Sequence, residues 1–327
     1  MNKKSSWLFI STLMLSTLIT MSANNWVGMW IGLEINMMSF IPLILNKTNK
    51  SSSEASMIYF LTQSISSMLL IMMILIMMCK YLIPKEMINS IIMISLFIKL
   101  GAAPFHMWMP KIMSNMEWMK CNILMTWQKI APLFMISTLN NNKMIYIIII
   151  SSVVVGSIGG LNQTSLRKMM AYSSINHLGW MLAINKSMNL WMIYLMIYSI
   201  MVSIMCFMFN KYKINFINQM NSINMSNTEK YNMFIMMLSM GGLPPFIGFL
   251  PKWITIQSLI NEYEIFIMLI MIMFSLVTLM YYLRVMTNMY LSFNLSIKWS
   301  FNYYSYSTII ITMINMSLPL IIIMDVM

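Results

Sequence analysis

Apolar runs of about twenty residues succeed one another along the chain, separated by short polar stretches, and a few charges are lodged inside the runs themselves. At about 1.5 Å per residue, such a run crosses a hydrocarbon core of about 30 Å as a helix. A transmembrane strand would alternate over about ten residues, and runs such as Ile145 to Ile150 do not. The pattern predicts eleven membrane helices, over residues 5–22, 26–45, 56–79, 88–107, 121–139, 144–161, 169–185, 190–209, 232–258, 263–286 and 304–324. Several connections are only a few residues long, which makes consecutive helices antiparallel neighbours. The sizeable loops are Asn210 to Tyr231 and Thr287 to Tyr303, and no water-soluble domain fits between the runs. The expected fold is an all-α polytopic membrane protein, a single transmembrane domain over residues 1–327.

Two of the runs carry interruptions. In one, Gly101-Ala102-Ala103-Pro104 follows Lys99 and precedes His106; in the other, Gly241-Gly242-Leu243-Pro244-Pro245 and then Pro251 precede Lys252. Glycine and proline inside an apolar run break the helix, and the freed carbonyls and amides are tolerated only against protein or a water-filled cavity. Two broken helices at corresponding places suggest an inverted repeat of transporter type, with the second repeat from about residue 140 and an ion path between the halves.

Composition narrows the class. Hydrophobic residues are 59% of the chain and charged residues 9%, which excludes a soluble domain of 327 residues. The net charge of +12 is scattered through short loops, without a basic stripe interleaved with aromatics, so it reads as membrane topology and not as a nucleic-acid footprint. With eleven spans, thirteen basic residues fall on the N-terminal side, four (Lys80, Lys85, Lys143 and Lys186) on the other and three inside the membrane. That imbalance places the N-terminus on the matrix or cytoplasmic side. Cys79, Cys121 and Cys206 lie far apart, with no CxxC and no histidine at metal-ligand spacing. They read as buried thiols, so no iron–sulfur cluster, haem or zinc is expected. No Rossmann glycine pattern or phosphate loop is present, and any redox cofactor would belong to a partner. The opening Met1-Asn2-Lys3-Lys4 with its apolar run reads as a retained span, not a cleaved signal. The 47 methionines beside two arginines and one aspartate suggest an AT-rich genome that reads an isoleucine codon as methionine, and thus an organelle-made protein.

The charges within the runs are the candidate chemistry. An ammonium deep in hydrocarbon costs several kcal/mol without a partner or water, and so marks a functional site by default. Glu34, Lys99, Lys129 and Lys252 all lie this way. Burial disfavours a charged lysine while a nearby carboxylate favours it, so a lysine balanced between the two can load and release a proton. Glu34 is then either a structural carboxylate or the charge that sets the proton affinity of a nearby lysine, with Lys99 and Lys129 as its natural partners. His177, mid-span beside Ser173, Ser174 and Asn176, is either a proton relay or a neutral, hydrogen-bonded packing histidine. His106 lies past the first break and is expected nearer water. The Met and Ile tracts read as lipid-facing or packing surface.

Taken together, several of these segments resemble a known family. They are Gly32-Leu33-Glu34-Ile35-Asn36, Lys99 to His106, Trp127-Gln128-Lys129-Ile130-Ala131-Pro132-Leu133, Gly160 to Lys168, Ser173 to Trp180, Gly241 to Phe246 and Gly248 to Trp253. In this order, over roughly residues 25 to 260, they are similar to the subunit 2 family of mitochondrial NADH dehydrogenase, complex I, in an insect-like form. The resemblance implies an antiporter-like proton channel of the membrane arm, missing three N-terminal helices of its bacterial relative. It implies a Glu34–Lys99 charge pair at the entry half-channel, Lys129 as central relay and Lys252 towards the exit or the next subunit. FMN, iron–sulfur clusters and ubiquinone would lie in partner subunits. Neighbouring antiporter-like subunits and phospholipids such as cardiolipin would be its partners, in the mitochondrial inner membrane. A stand-alone or Mrp-type cation/proton antiporter is the alternative, although a sodium site would want several oxygen ligands and Glu34 is the one acid placed mid-span. A scaffold whose buried ion pairs only fix assembly is a third reading.

Overall fold

A computed structural model describes residues 3–45, 49–79, 84–139, 144–222, 226–291 and 306–318. Lys47, Lys80, Lys143 and Lys298, most of the expected loop 287–303 and the end of the expected last span lie outside these residues.

The described chain is helical from end to end. Two long helices, α1 (Lys3–Ser22) and α2 (Trp26–Ile44), lead into α3 (Lys50–Met78) and α4 (Lys85–Leu100). After the first break come α5 (Trp108–Asn115) and α6 (Trp118–Met125), a 3-10 turn (Trp127–Lys129) and α7 (Ile130–Ser137). The second half begins with α8 (Met144–Leu161), α9 (Leu166–Ala183) and α10 (Met188–Tyr212), followed by the short α11 (Gln219–Ser222). It ends with α12 (Asn227–Gly241), α13 (Phe249–Asn261), α14 (Ile265–Leu291) and α15 (Tyr306–Asn315). Among the described residues, five helices are long and apolar enough to cross a membrane on their own, within α2, α3, α8, α10 and α14. Large apolar side chains such as Trp7, Met68, Met196, Phe266 and Met273 are exposed on the outer helices, a surface suited to lipid and not to water.

Both expected breaks are present. Gly101 and Gly242 end α4 and α12 in the left-handed conformation, at φ 71° and 76°, where a side chain would clash with its own carbonyl. The expected helix over 88–107 in fact stops at Leu100, and Trp108 Nε1 donates at 3.1 Å to Ile98 O, which also accepts from Gly101 N. A third interruption was not anticipated. The run over 121–139 is divided at the 3-10 turn carrying Lys129, with Pro132 in the first turn of α7. Proline has no N–H for the preceding turn, so the ladder tightens there.

Cross-links gather at one end of the bundle. Lys120 Nζ donates to Ile44 O at 3.2 Å, and Arg167 to Met116 O at 2.6 Å. Arg284 donates to Leu161 O and, at 2.6 Å, to Gln163 O. Each cation meets carbonyls at or just past a helix C-terminus, where the partial negative charge of the helix dipole stands. Lys120 and Arg284, expected in loops, are thus parts of α6 and α14. At the same end an antiparallel bridge pairs Ser165 with Phe216, and Trp118 Nε1 donates to Ile214 O at 2.9 Å. Cys121 and Cys206 are buried as expected, but Cys79 is exposed, because α3 ends there in the open.

Candidate functional site

The three mid-chain lysines are deeply enclosed, Lys99 at 7%, Lys129 at 2% and Lys252 at 4% exposure, and His177 is at 7%. Each lysine sits where a helix is broken. Lys99 lies in the last turn of α4, two residues before the chain turns left-handed at Gly101. Lys129 closes the 3-10 turn between α6 and α7. Lys252 stands in the first turn of α13 but reaches back, and its Nζ donates to Gly241 O at 2.7 Å, the last residue of α12. For Lys252 the break supplies a carbonyl group that stabilises the cation without a full counter-charge.

Lys99 and Lys129 line one cavity, together with Asn36, Tyr59, Gln63, Trp108 and Gln128. The cavity measures ≈ 20 Å³, enough for one water among polar partners. Gln63 Nε2 donates to the Lys99 carbonyl at 3.3 Å. Gln128 Nε2 donates to Asn36 Oδ1 at 3.0 Å, and the Tyr59 hydroxyl donates to Gln128 Oε1 at 3.4 Å.

Beyond Lys129 the line continues into α9. Lys129 Nζ donates to Ser174 O at 3.1 Å and lies 4.9 Å from the Tyr198 ring centre. That ring is 4.8 Å from the His177 ring, and His177 Nδ1 is 2.8 Å from the Tyr194 hydroxyl. Lys252 Nζ lies 5.6 Å from the ring of Trp180, three residues on from His177 along α9. Trp180 and His177 thus stand between the two lysines, on a helix held close to α8. A Cβ at Gly156 of α8 would come within 2.6 Å of the Asn176 nitrogen, so only glycine lets these two backbones approach so closely.

Two expected members stand apart. Glu34 is half-buried on α2 and forms no ion pair with Lys99; its Oε1 is buried without a hydrogen-bond partner. Any influence of its carboxylate on Lys99 is therefore through space and not by direct contact. His106 is partly exposed, its Nδ1 3.2 Å from Pro104 O and its ring 6.1 Å from that of Tyr172. It lies at the rim of the first break, outside the buried line.

The polar wall of α3 escaped the sequence reading, and so did the buried phenols Tyr194, Tyr198, Tyr281 and Tyr282. The signal for the first is present. Ser52, Ser56, Tyr59, Gln63, Ser66 and Ser67 are all buried and recur every three or four residues, one face of a helix. In a membrane helix, a polar stripe of that period points at protein or water.

Comparison with known proteins gives a consistent picture. A family model described as NADH:quinone oxidoreductase/Mrp antiporter, TM, matches residues 23–278. The NADH-ubiquinone oxidoreductase chain 2 of Anopheles gambiae is 47% identical over 291 residues, covering 87% of this chain and 85% of its own. A chain of respiratory complex I from Thermus thermophilus, solved with bound aureothin, has a similar fold at TM-score 0.79. It is 19% identical, with 87% of this chain and 70% of that one covered. A chain of the Mrp complex from Dietzia sp. DQ12-45-1b matches at TM-score 0.75 and 13% identity, over 86% and 59% of the two chains.

Proposed function

Because the chain belongs to the family of NADH:quinone oxidoreductase and Mrp antiporter membrane subunits, we propose that it is the proton-translocating membrane subunit of an NADH:ubiquinone oxidoreductase. The observation that carries the reading is the enclosed line from the Lys99–Lys129 cavity through Tyr198 and His177 to Lys252, with every lysine at a helix break. In this reading Lys99 receives a proton near Glu34. Lys129 relays it and His177 passes it towards Lys252. Each step moves one proton from a nitrogen to the next acceptor, directly or through a water. Glu34, through space, tunes how readily Lys99 holds its charge. His106 serves the rim at most, on the wetter side of the first break.

Further parts of the reading rest on the same family. The helices pair into eleven crossings if α4–α5, α6–α7 and α12–α13 each count once, α11 lies in a loop and α15 counts as the last. The chain is one antiporter-like domain, with its second repeat from about residue 140 and the first lacking its N-terminal helices. It sits in the mitochondrial inner membrane with its N-terminus towards the matrix. FMN, iron–sulfur clusters and ubiquinone belong to partner subunits. Other antiporter-like subunits and phospholipids such as cardiolipin flank this one.

The test is Lys129→Met in the assembled complex. Loss of proton pumping, with the NADH-oxidising activity towards an artificial acceptor intact, is the expected result. Normal pumping by an assembled Lys129→Met complex would leave only the scaffold reading standing. An Mrp-type exchange would instead show turnover that depends on sodium.

A further inference from the structure

The Lys99–Lys129 cavity is closed on one side by an amide bridge that joins three helices. Gln128 stands in the 3-10 turn, one residue before Lys129. Its amide takes a hydrogen from Tyr59 of α3 and gives one to Asn36 of α2. Asn36 is two residues from Glu34 on α2. Tyr59 is four residues, one helical turn, from Gln63, which holds the carbonyl of Lys99. The bridge therefore ties the turn carrying Lys129 to the two helices that carry the surroundings of Glu34 and Lys99.

We propose that Gln128 is a positioning residue for the proton step between Lys99 and Lys129, its amide acting as a two-way switch in the cavity wall. The proposal rests on the function given above and names a part of the same path. An amide does not titrate near neutral pH and carries no proton itself. It does, however, offer a donor and an acceptor on one rotatable group. The row Tyr59–Gln128–Asn36 can be hydrogen-bonded in two senses. In the sense present here, the phenol gives its hydrogen to the amide oxygen. In the reverse sense, Asn36 gives a hydrogen to that oxygen and the Gln128 NH₂ turns to the phenol oxygen, which frees the phenol hydrogen to point into the cavity. One water held between the lysines then meets either a phenol lone pair or a phenol hydrogen. In the step itself one N–H bond of the Lys99 ammonium breaks, the water passes a proton on, and one N–H bond forms at neutral Lys129; nothing is oxidised or reduced. A short 3-10 stretch within a helix is a common place for a hinge, so a change of charge at Lys129 reaches its neighbour Gln128 directly.

The test compares Gln128→Leu, Tyr59→Phe and Lys129→Met in assembled complexes, by coupled NADH:quinone turnover, proton yield per electron pair and the solvent deuterium isotope effect. Gln128→Leu removes both bonds and is expected to cut coupled turnover by up to about a hundredfold, the scale on which a reacting group misplaced by about 1 Å costs rate. Its isotope effect should rise as proton transfer becomes limiting, which a merely structural role would not produce. Tyr59→Phe keeps the ring and removes one bond, and should fall between Gln128→Leu and the parent. Should Gln128→Leu fail to assemble, Tyr59→Phe decides by the same two readouts. Parent-like turnover and isotope effect in both assembled variants would overturn the switch. If Lys129→Met has meanwhile abolished pumping, only the switch falls; if Lys129→Met also pumps normally, the proposed function falls with it.

Discussion

At the scale of single residues, the site is organised by where a charged side chain meets the end of a helix. Lys252 illustrates this most sharply. Its ammonium bonds the carbonyl of Gly241, and the next residue, Gly242, has φ 76°. A Cβ at Gly242 would lie 2.7 to 2.8 Å from the Lys252 Cδ, Cε and Nζ atoms. Gly242→Ala should therefore cost about 1–2 kcal/mol for the left-handed backbone alone and displace the ammonium as well. The expected outcome is a lower melting temperature of the solubilised complex together with reduced pumping. Unchanged pumping at a lower melting temperature would show that the Lys252 position is not critical. The lysines themselves were legible in the sequence, because a charge within an apolar run stands out. Gln63, Tyr59 and Gln128 were not, since uncharged polar residues in such runs are common and only their three-dimensional convergence around the cavity marks them. The Glu34–Lys99 charge pair is an expectation from motif and depth, and the two groups form no direct ion pair here.

At the scale of elements, helix ends govern both the breaks and the cross-links. Glycine and proline announced the breaks after Lys99 and before Lys252. The break at Lys129 was hidden, because a lone Pro132 within an apolar run is as compatible with a kink as with a helix start. The arginines were read as loop charges, and tertiary packing drew them onto carbonyl ends instead. Arg284→Met would leave the Leu161 and Gln163 carbonyls without their charged donor. A loss of about 1–3 kcal/mol is expected, measurable as earlier thermal unfolding or faster hydrogen exchange at the end of α8. A second junction is sensitive to pH. Glu229, in the polar first turn of α12 outside the apolar span, accepts from Lys211 at 2.8 Å and forms a capping box with Ser226. Burial raises its pKa, but hydrogen bonds from Lys211, Tyr212 and Ser226 outweigh that and hold it at about 2, against 4.5 for a free carboxyl. A depressed carboxyl stabilises the fold fully above its unfolded pKa and loses that effect as pH falls through the folded one. The tie between α10 and α12 should therefore loosen from about pH 4.5 down to about pH 2. Hydrogen exchange at residues 226–232, corrected for its intrinsic pH dependence, should rise across that window. Glu229→Gln should flatten the rise.

At the scale of the whole molecule, the helix order and the cross-links fix which ends lie together. The cross-links bring the ends of α2, α5, α8, α10 and α14 together, and on the eleven-crossing count proposed above these share one side with the start of α1. Lys120, Trp118, Arg167, Arg284 and the Ser165–Phe216 bridge all make their contacts on that side. The Lys186–Glu262 ion pair joins the α9–α10 and α13–α14 turns on the other side. The concentration of cations that the sequence reading took as a topological signal therefore has a structural use as well, because that side is also where several helix C-termini present their carbonyls. An excess of lysine and arginine normally faces the compartment from which a membrane protein is not translocated. Cys79 offers a direct check, as it is exposed at the end of α3, which the proposed eleven-crossing count puts on the side of Lys186 and Glu262. With the N-terminus towards the matrix, a membrane-impermeant maleimide added to mitoplasts should label Cys79 and spare the buried Cys121 and Cys206. Inverted inner-membrane vesicles should leave Cys79 unlabelled until detergent is added. The reverse pattern would turn the whole subunit over in the membrane, and the direction of the proton line from Lys99 to Lys252 would have to be reassigned with it.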